Sequence, residues 1–165
     1  MANIAQRITN CLWFDSEAEE AAEFYTSIFK NSKIGPITYF GKEGFEFHGK
    51  PEGSVMTVSF YLYSQEFLGL NGGPQFKFNE AMSLIVNCEN QGEIDHYWYK
   101  LSEGGKEGQC GWLTDKFGVS WQVVPIGWTE MMNNPDKSKS KKVMAKVFQM
   151  KKFELAELEE AYNEN

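Results

Sequence analysis

Residues 7–30, RITNCLWFDSEAEEAAEFYTSIFK, decide how the rest of the chain is read. The run RITNCLWF (7–14) is rich in strand formers, and Asp15 and Ser16 stop it. Ser16 with Glu19 has the spacing of a capping box, whose side chains satisfy the free amides of a helix start. Ala18, Ala21, Ala22, Tyr25, Ile28 and Phe29 then recur at three- and four-residue steps, which places one apolar stripe on a helix over about 16–30. The opening is therefore a strand followed by a helix.

Outward from this unit, KIGPITYF (33–40), SVMTVSFYLY (54–63) and EFLGLNGG (66–73) are strand-like and separated by turn residues. The intervening GKEGFEFHGKPEG, which carries His48, is expected to be a loop or a mobile hairpin end. The order then begins again. MSLIVNC (82–88) predicts a strand, and Asn90 with Glu93 predicts the cap of a helix whose stripe is Ile94, Tyr97, Trp98 and Leu101. Sliding the chain by 73 residues lays Ala21 on Ile94, Tyr25 on Trp98 and Ile28 on Leu101, with Asn10 falling on Ser83, a repeat of pattern and not of identity. GQCGWLTD (108–115) and VSWQVVP (119–125) predict a hairpin turning at Asp115–Gly118, and the tail over 137–164 predicts two short helices.

At 165 residues with 42% hydrophobic and 15% aromatic side chains, the chain is expected to fold as one α+β domain over 1–165. A first module covers about 7–73, a second about 80–126, and a helical tail about 137–164. The formal charge of -7 opposes a broad grip on nucleic acid or anionic lipid. The basic cluster Lys137, Lys139, Lys141, Lys142 and Lys146 precedes Glu154, Glu157, Glu159 and Glu160 and is read as a solvated face. No apolar run approaches the roughly 20 residues that span a bilayer, and the N-terminus lacks the blocks of a signal peptide, so a cytoplasmic protein is expected. Cys11, Cys88 and Cys110 lack CxxC spacing and are expected to be reduced thiols.

Four segments, NCLWFDSEAEEAAEFYTSIF, LNGGPQFKFNEAMSLIVNCE, CGWLTDKFGVSWQVVP and KVFQMKKFELAELEEA, resemble the PhnB-like family of the vicinal oxygen chelate (glyoxalase and bleomycin-resistance) superfamily. Its members often carry the label of demethylubiquinone methyltransferase domains. The resemblance covers nearly the whole chain. It implies paired βαβββ modules whose sheets curve around a cavity, within a homodimer. It also implies superfamily metal-ligand positions, which fall here on Asn10, Ser83 and Gln122, with Glu66 the carboxylate available on the fourth strand of the first module.

Asn, Ser and Gln are weak ligands for Fe, Mn, Ni or Zn, so no metal site and no cofactor are expected, with a divalent metal held by this unusual set as the alternative. Strand alternation puts Asn10, Leu12 and Phe14 on one face, and Ser120, Gln122 and Val124 on one face. Asn10, Phe14, Ser83, Trp112 and Gln122 are accordingly the candidate ligand-binding residues; the alternative for the amides is bonding to backbone or water in the core. Glu80, at the entry to a strand, is a candidate general base or else a turn residue. His48 and His96 are read as surface residues, and Cys11 and Cys110 have no neighbour in sequence to lower a thiol pKa.

Three functions follow as alternatives. The first is a metal-free protein that binds a small organic ligand. The second is a metal-dependent lyase, isomerase or dioxygenase. The third, from the family label, is a methyltransferase, against which stands the absence of a Gly-rich strand-to-helix turn: LNGG leads into Pro74 and QFKF.

Overall fold

A computed structural model describes residues 6–164. The chain divides into two compact units, the first ending at Phe78 and the second beginning at Asn79. The first contains β1 (Asn10–Phe14), α1 (Ala18–Ile28), β2 (Lys33–Tyr39), α2 (Phe45–His48), β3 (Val55–Leu62) and β4 (Gln65–Asn71). Its strands lie in the order β1-β4-β3-β2. β1 and β4 run parallel, with Leu12 opposite Gly69, and the other pairs are antiparallel. The stripe of α1 is buried as its spacing predicts, at Ala18, Ala21, Ala22, Tyr25 and Ile28. It packs on the sheet face carrying Leu12, Phe14, Val58, Phe60 and Phe67, all buried. Each such side chain contributes about 1.5–3 kcal/mol on burial. Gly69 permits the close approach of helix and sheet, since a Cβ there would lie 3.1 Å from the Cβ of Ala18.

The expected capping box at Ser16 and Glu19 does not form. Glu17 is the N-cap and makes no side-chain cap bond; Glu17 Oε2 instead accepts the Ser16 amide at 2.8 Å. The start of α1 is capped from β4, whose Asn71 Oδ1 accepts the Ala18 amide. The loop expected at 41–53 holds the single helical turn α2, bounded by Gly44 and Gly49 in the left-handed region.

The second unit repeats the plan with β5 (Leu84–Cys88), α3 (Gln91–Ser102), β6 (Lys106–Glu107), β7 (Trp112–Thr114) and β8 (Ser120–Pro125), ordered β5-β8-β7-β6. β5 and β8 are again parallel. Here the predicted cap forms: Asn90 Oδ1 accepts the Glu93 amide at 3.0 Å, and Glu93 Oε2 accepts the Glu89 amide at 2.9 Å. The 73-residue offset holds for the helices but is one short in the strands, where Leu12 corresponds to Val86 and Phe14 to Cys88 as buried residues of the parallel pair. Three residues separate β1 from α1 and two separate β5 from α3, which accounts for the slip. Asp115 makes the β7–β8 turn: Oδ1 accepts the amides of Phe117 and Val119, and Oδ2 accepts Trp121 Nε1–H at 2.8 Å.

The tail adds α4 (Trp128–Met132), which the spacing did not predict, then α5 (Lys137–Val147) and α6 (Leu155–Asn163), which it did. Between α5 and α6 the segment 150–155 is tied to the second unit. The amides of Cys110 and Gly111 donate to the carbonyls of Met150 and Lys151, and the Gln91 carboxamide donates to the Phe153 carbonyl while accepting the Leu155 amide. Lysines of α5 and its end are partnered within the tail: Lys146 pairs with Glu157 at 2.6 Å, and Lys139 lies over the Tyr162 ring. No helix among the described residues is long and apolar enough to cross a membrane.

Candidate functional site

The sheet of the second unit has two chemically different faces. Leu113, Trp121, Val123, Val86 and Cys88 are buried on the side of α3, whose Ile94, Tyr97, Trp98 and Leu101 are buried with them. The residues between them in sequence point the other way. On that opposite face the registers align two rows across the strands. Lys106 of β6 stands opposite Thr114 of β7, which stands opposite Ser120 of β8. In the next row Trp112 stands opposite Gln122, which stands opposite Ile85 of β5. This face is largely polar, with one indole set into it.

A cavity of about 130 Å³ opens here, lined by Glu80, Lys106, Trp112, Thr114 and Ser120 among others. Ser120 is only 2% exposed, yet its hydroxyl has no hydrogen-bond partner among the described residues and is not sealed off. A polar atom on a buried residue is normally satisfied, so this hydroxyl is directed to the cavity. The side chains of Glu80 and Lys106 likewise have no ion-pair or hydrogen-bond partner among the described residues. Glu107, on the α3 side of β6, is engaged by Trp98 Nε1–H and by Lys151, each at 3.3 Å.

Of the residues proposed from the sequence, four come together at this face. Trp112 and Glu80 line the cavity. Gln122 lies beside Trp112 in register and donates from Nε2 to Ser83 Oγ at 2.8 Å. Asn10 and Phe14 belong to the first unit and share the face of β1 turned to α1. Phe14 is buried, and its ring is 3.5 Å from where a Cβ on Gly69 would lie, beside Ala18. The residues of β1 and β4 that face away from α1 are instead Cys11, Trp13, Glu66, Leu68 and Leu70. Trp13 donates from Nε1 to the Gly73 carbonyl and fills the space where Gly72 would carry a side chain.

The superfamily ligand positions do not suit a transition metal. Gln122 and Ser83 offer neutral oxygens and are bonded to each other. Glu66 lies in the first unit beside Tyr61, whose pKa is raised by desolvation and by the Glu66 carboxylate. Among the described residues no three His, Cys, Asp or Glu side chains converge as a metal-binding group. His48 stacks at 4.6 Å on Phe40 in the loop of the first unit, and His96 is exposed on α3. Cys11 is exposed as a residue, yet desolvation pushes its thiol up, away from the reactive thiolate.

Three cavity residues went unread. Ser120 was placed on the face of Gln122 by alternation but not singled out, and Thr114 follows from the same alternation through Trp112. Lys106 lies on a two-residue strand that carries no pattern of its own.

Residues 6–124 match the family of 3-demethylubiquinone-9 3-methyltransferase. Among solved structures, a PhnB protein of Bacillus cereus is 39% identical, with a TM-score of 0.64 over 73% of this chain and 99% of its own. Protein PA1353 of Pseudomonas aeruginosa is 20% identical, with a TM-score of 0.59 over 73% of this chain and 98% of its own. The genomically encoded fosfomycin resistance protein FosX of Listeria monocytogenes shares the fold at 12% identity, with a TM-score of 0.51 over 79% and 99% of the two chains. No curated protein sequence matches. The family match ends at Val124, so α4, α5 and α6 lie beyond it.

Proposed function

Since this chain belongs to the PhnB-like family named for 3-demethylubiquinone-9 3-methyltransferase, with a glyoxalase-like fold, we propose that it binds a small organic molecule without a metal, on the face of its second unit that turns away from α3. The observation that carries this reading is the Ser120 hydroxyl, held on a buried residue and open to the cavity beside Trp112. A polar atom so placed fixes the orientation of a ligand, and an aromatic wall supplies contact area. Gln122, its Nε2–H bonded to Ser83, keeps a carboxamide oxygen as a further acceptor.

Fragment screening by amide and indole NMR on the whole chain tests this. Hits are expected to move the Trp112 indole and Ser120 amide resonances, and Ser120→Ala is expected to weaken them. Hits that move only resonances elsewhere overturn the site. Metal analysis of protein purified without chelators is expected to find no stoichiometric Fe, Mn, Ni or Zn; one such metal per chain overturns the metal-free reading.

Methyl transfer is disfavoured by the local geometry after β4. Gly72 and Gly73 lead into turn and extended chain, and the helix that follows is α3 at Gln91. The space beside Gly72 is filled by the Trp13 indole. Calorimetry with S-adenosylmethionine is expected to give no heat of binding. The chain is further proposed to act in the cytoplasm as a homodimer; a monomeric mass by light scattering at micromolar concentration overturns the latter.

A further inference from the structure

We infer that the cavity of the second unit takes a small zwitterion of the α-amino-acid class, an inference that rests on the binding site proposed above and names its ligand chemistry. The cavity is lined by two carboxylates, Glu80 and Glu107, and one ammonium, Lys106; Glu107 is already engaged by Trp98 and Lys151, which leaves Glu80 and Lys106 as the charges open to a ligand. The two are not within ion-pair distance of each other, and neither has another partner among the described residues. Opposite charges on one small cavity that leave each other unpaired are satisfied together by a ligand that carries both signs.

The remaining groups fit the same molecule. Lys106, Thr114 and Ser120 stand in one cross-strand row, so an ammonium and two hydroxyls can donate to a single carboxylate. Glu80 then accepts from the ligand ammonium, and Trp112 provides the apolar wall for a side chain. Size sets the upper bound. A cavity of about 130 Å³ lies below the roughly 300 Å³ at which sites for drug-sized ligands begin. This matches a short aliphatic amino acid.

The test uses the full chain, isotopically labelled, and three probes of nearly one shape: L-valine, isobutylamine (the carboxylate removed) and isovalerate (the ammonium removed), compared at the same millimolar concentrations. L-Valine is expected to move the Trp112 indole and Ser120 amide resonances and to bind about tenfold more tightly than either single-charge probe, the effect of one charge-assisted hydrogen bond. Glu80→Gln is expected to erase the preference for valine over isovalerate alone, and Lys106→Met the preference over isobutylamine alone, a crossed pattern that general destabilisation does not produce. If a single-charge probe binds at Trp112 and Ser120 as tightly as valine, the zwitterion is overturned and the binding site stands. If none of the three moves those resonances, the zwitterion is overturned outright, and the fragment screen separately decides the site.

Discussion

Asn71 Oδ1 accepts the Ala18 amide at 2.9 Å, while Asn71 Nδ2 donates to the Val55 carbonyl at 3.0 Å. One buried carboxamide thus joins the end of β4 to the first turn of α1 and to the start of β3. It substitutes for a local cap and secures the strand inserted between β1 and β3. Asn71→Ala removes both bonds and leaves buried backbone groups unpaired, which is expected to cost about 1–3 kcal/mol. Urea unfolding reads this as a lower midpoint at unchanged slope. Asn71→Asp keeps an acceptor for Ala18 but cannot donate to Val55, so it is not expected to restore full stability.

The tail is joined to α3 by charge as well as by backbone. Asp95 lies below its ordinary carboxylate value, held there by hydrogen bonds from Lys152 and then Gln91. Burial pulls Lys152 down, but its hydrogen bonds to Asp95 and Glu154 outweigh this, and its pKa is raised. The unfolded chain binds the Asp95 proton more readily, so this contribution is complete above the ordinary Asp value of about 3.9 and is lost as pH falls through the lower folded value. The Lys152 contribution is complete below its ordinary value and is lost as pH rises through the higher folded one. Asp95 is partly exposed, so the pair is worth at most about 1 kcal/mol. The stability advantage of the native chain over Asp95→Asn is therefore expected to be full near neutral pH and to shrink toward about pH 3, as measured by urea midpoints. An unchanged difference across that range would contradict the assignment.

Cys88 is fully buried on the α3 side of β5, and burial, followed by the Glu93 charge, pushes its thiol up to about 12. The thiolate is the reactive form, so Cys88 is expected to resist maleimide in the folded chain and to be labelled after the exposed Cys11. Peptide mapping by mass spectrometry gives the order; early labelling of Cys88 would mean that β5 opens readily.

At Gly111 the backbone has φ of 80°, and a Cβ would meet the Phe153 ring at 2.5 Å and the Val123 carbonyl at 2.8 Å. Gly111→Ala is expected to displace the segment 150–155 and to cost about 1–3 kcal/mol from overpacking, with left-handed strain in addition. Faster tryptic cleavage at Lys151 and Lys152 is the readout.

The elements with long apolar stripes were legible in the sequence, because Ala21, Tyr25 and Ile28 repeat in Ile94, Trp98 and Leu101 and all six are buried. So was the Asn90 cap, which depends only on residues three apart. The cap of α1 was not legible, since Asn71 acts across 53 positions. A single extra residue between β1 and α1 was enough to shift the strand match by one, and in a strand one residue exchanges the faces. That is why Asn10 and Ser83, paired by sequence, lie on strand faces of opposite kind, while Gln122, Ser83 and Trp112 did come together.

In both sheets the last strand of the module is not at the edge: β4 lies between β1 and β3, and β8 between β5 and β7. The first strand therefore has no sheet neighbour until the final one is made, and Asn10 must wait for Phe67. On a ribosome this leaves each half-sheet with an open slot until its closing strand emerges, and the pairing is nonlocal and correspondingly slow. Truncations ending before Gln65, or between Leu84 and Ser120, would leave that slot exposed, and such nascent chains are the ones that need a chaperone.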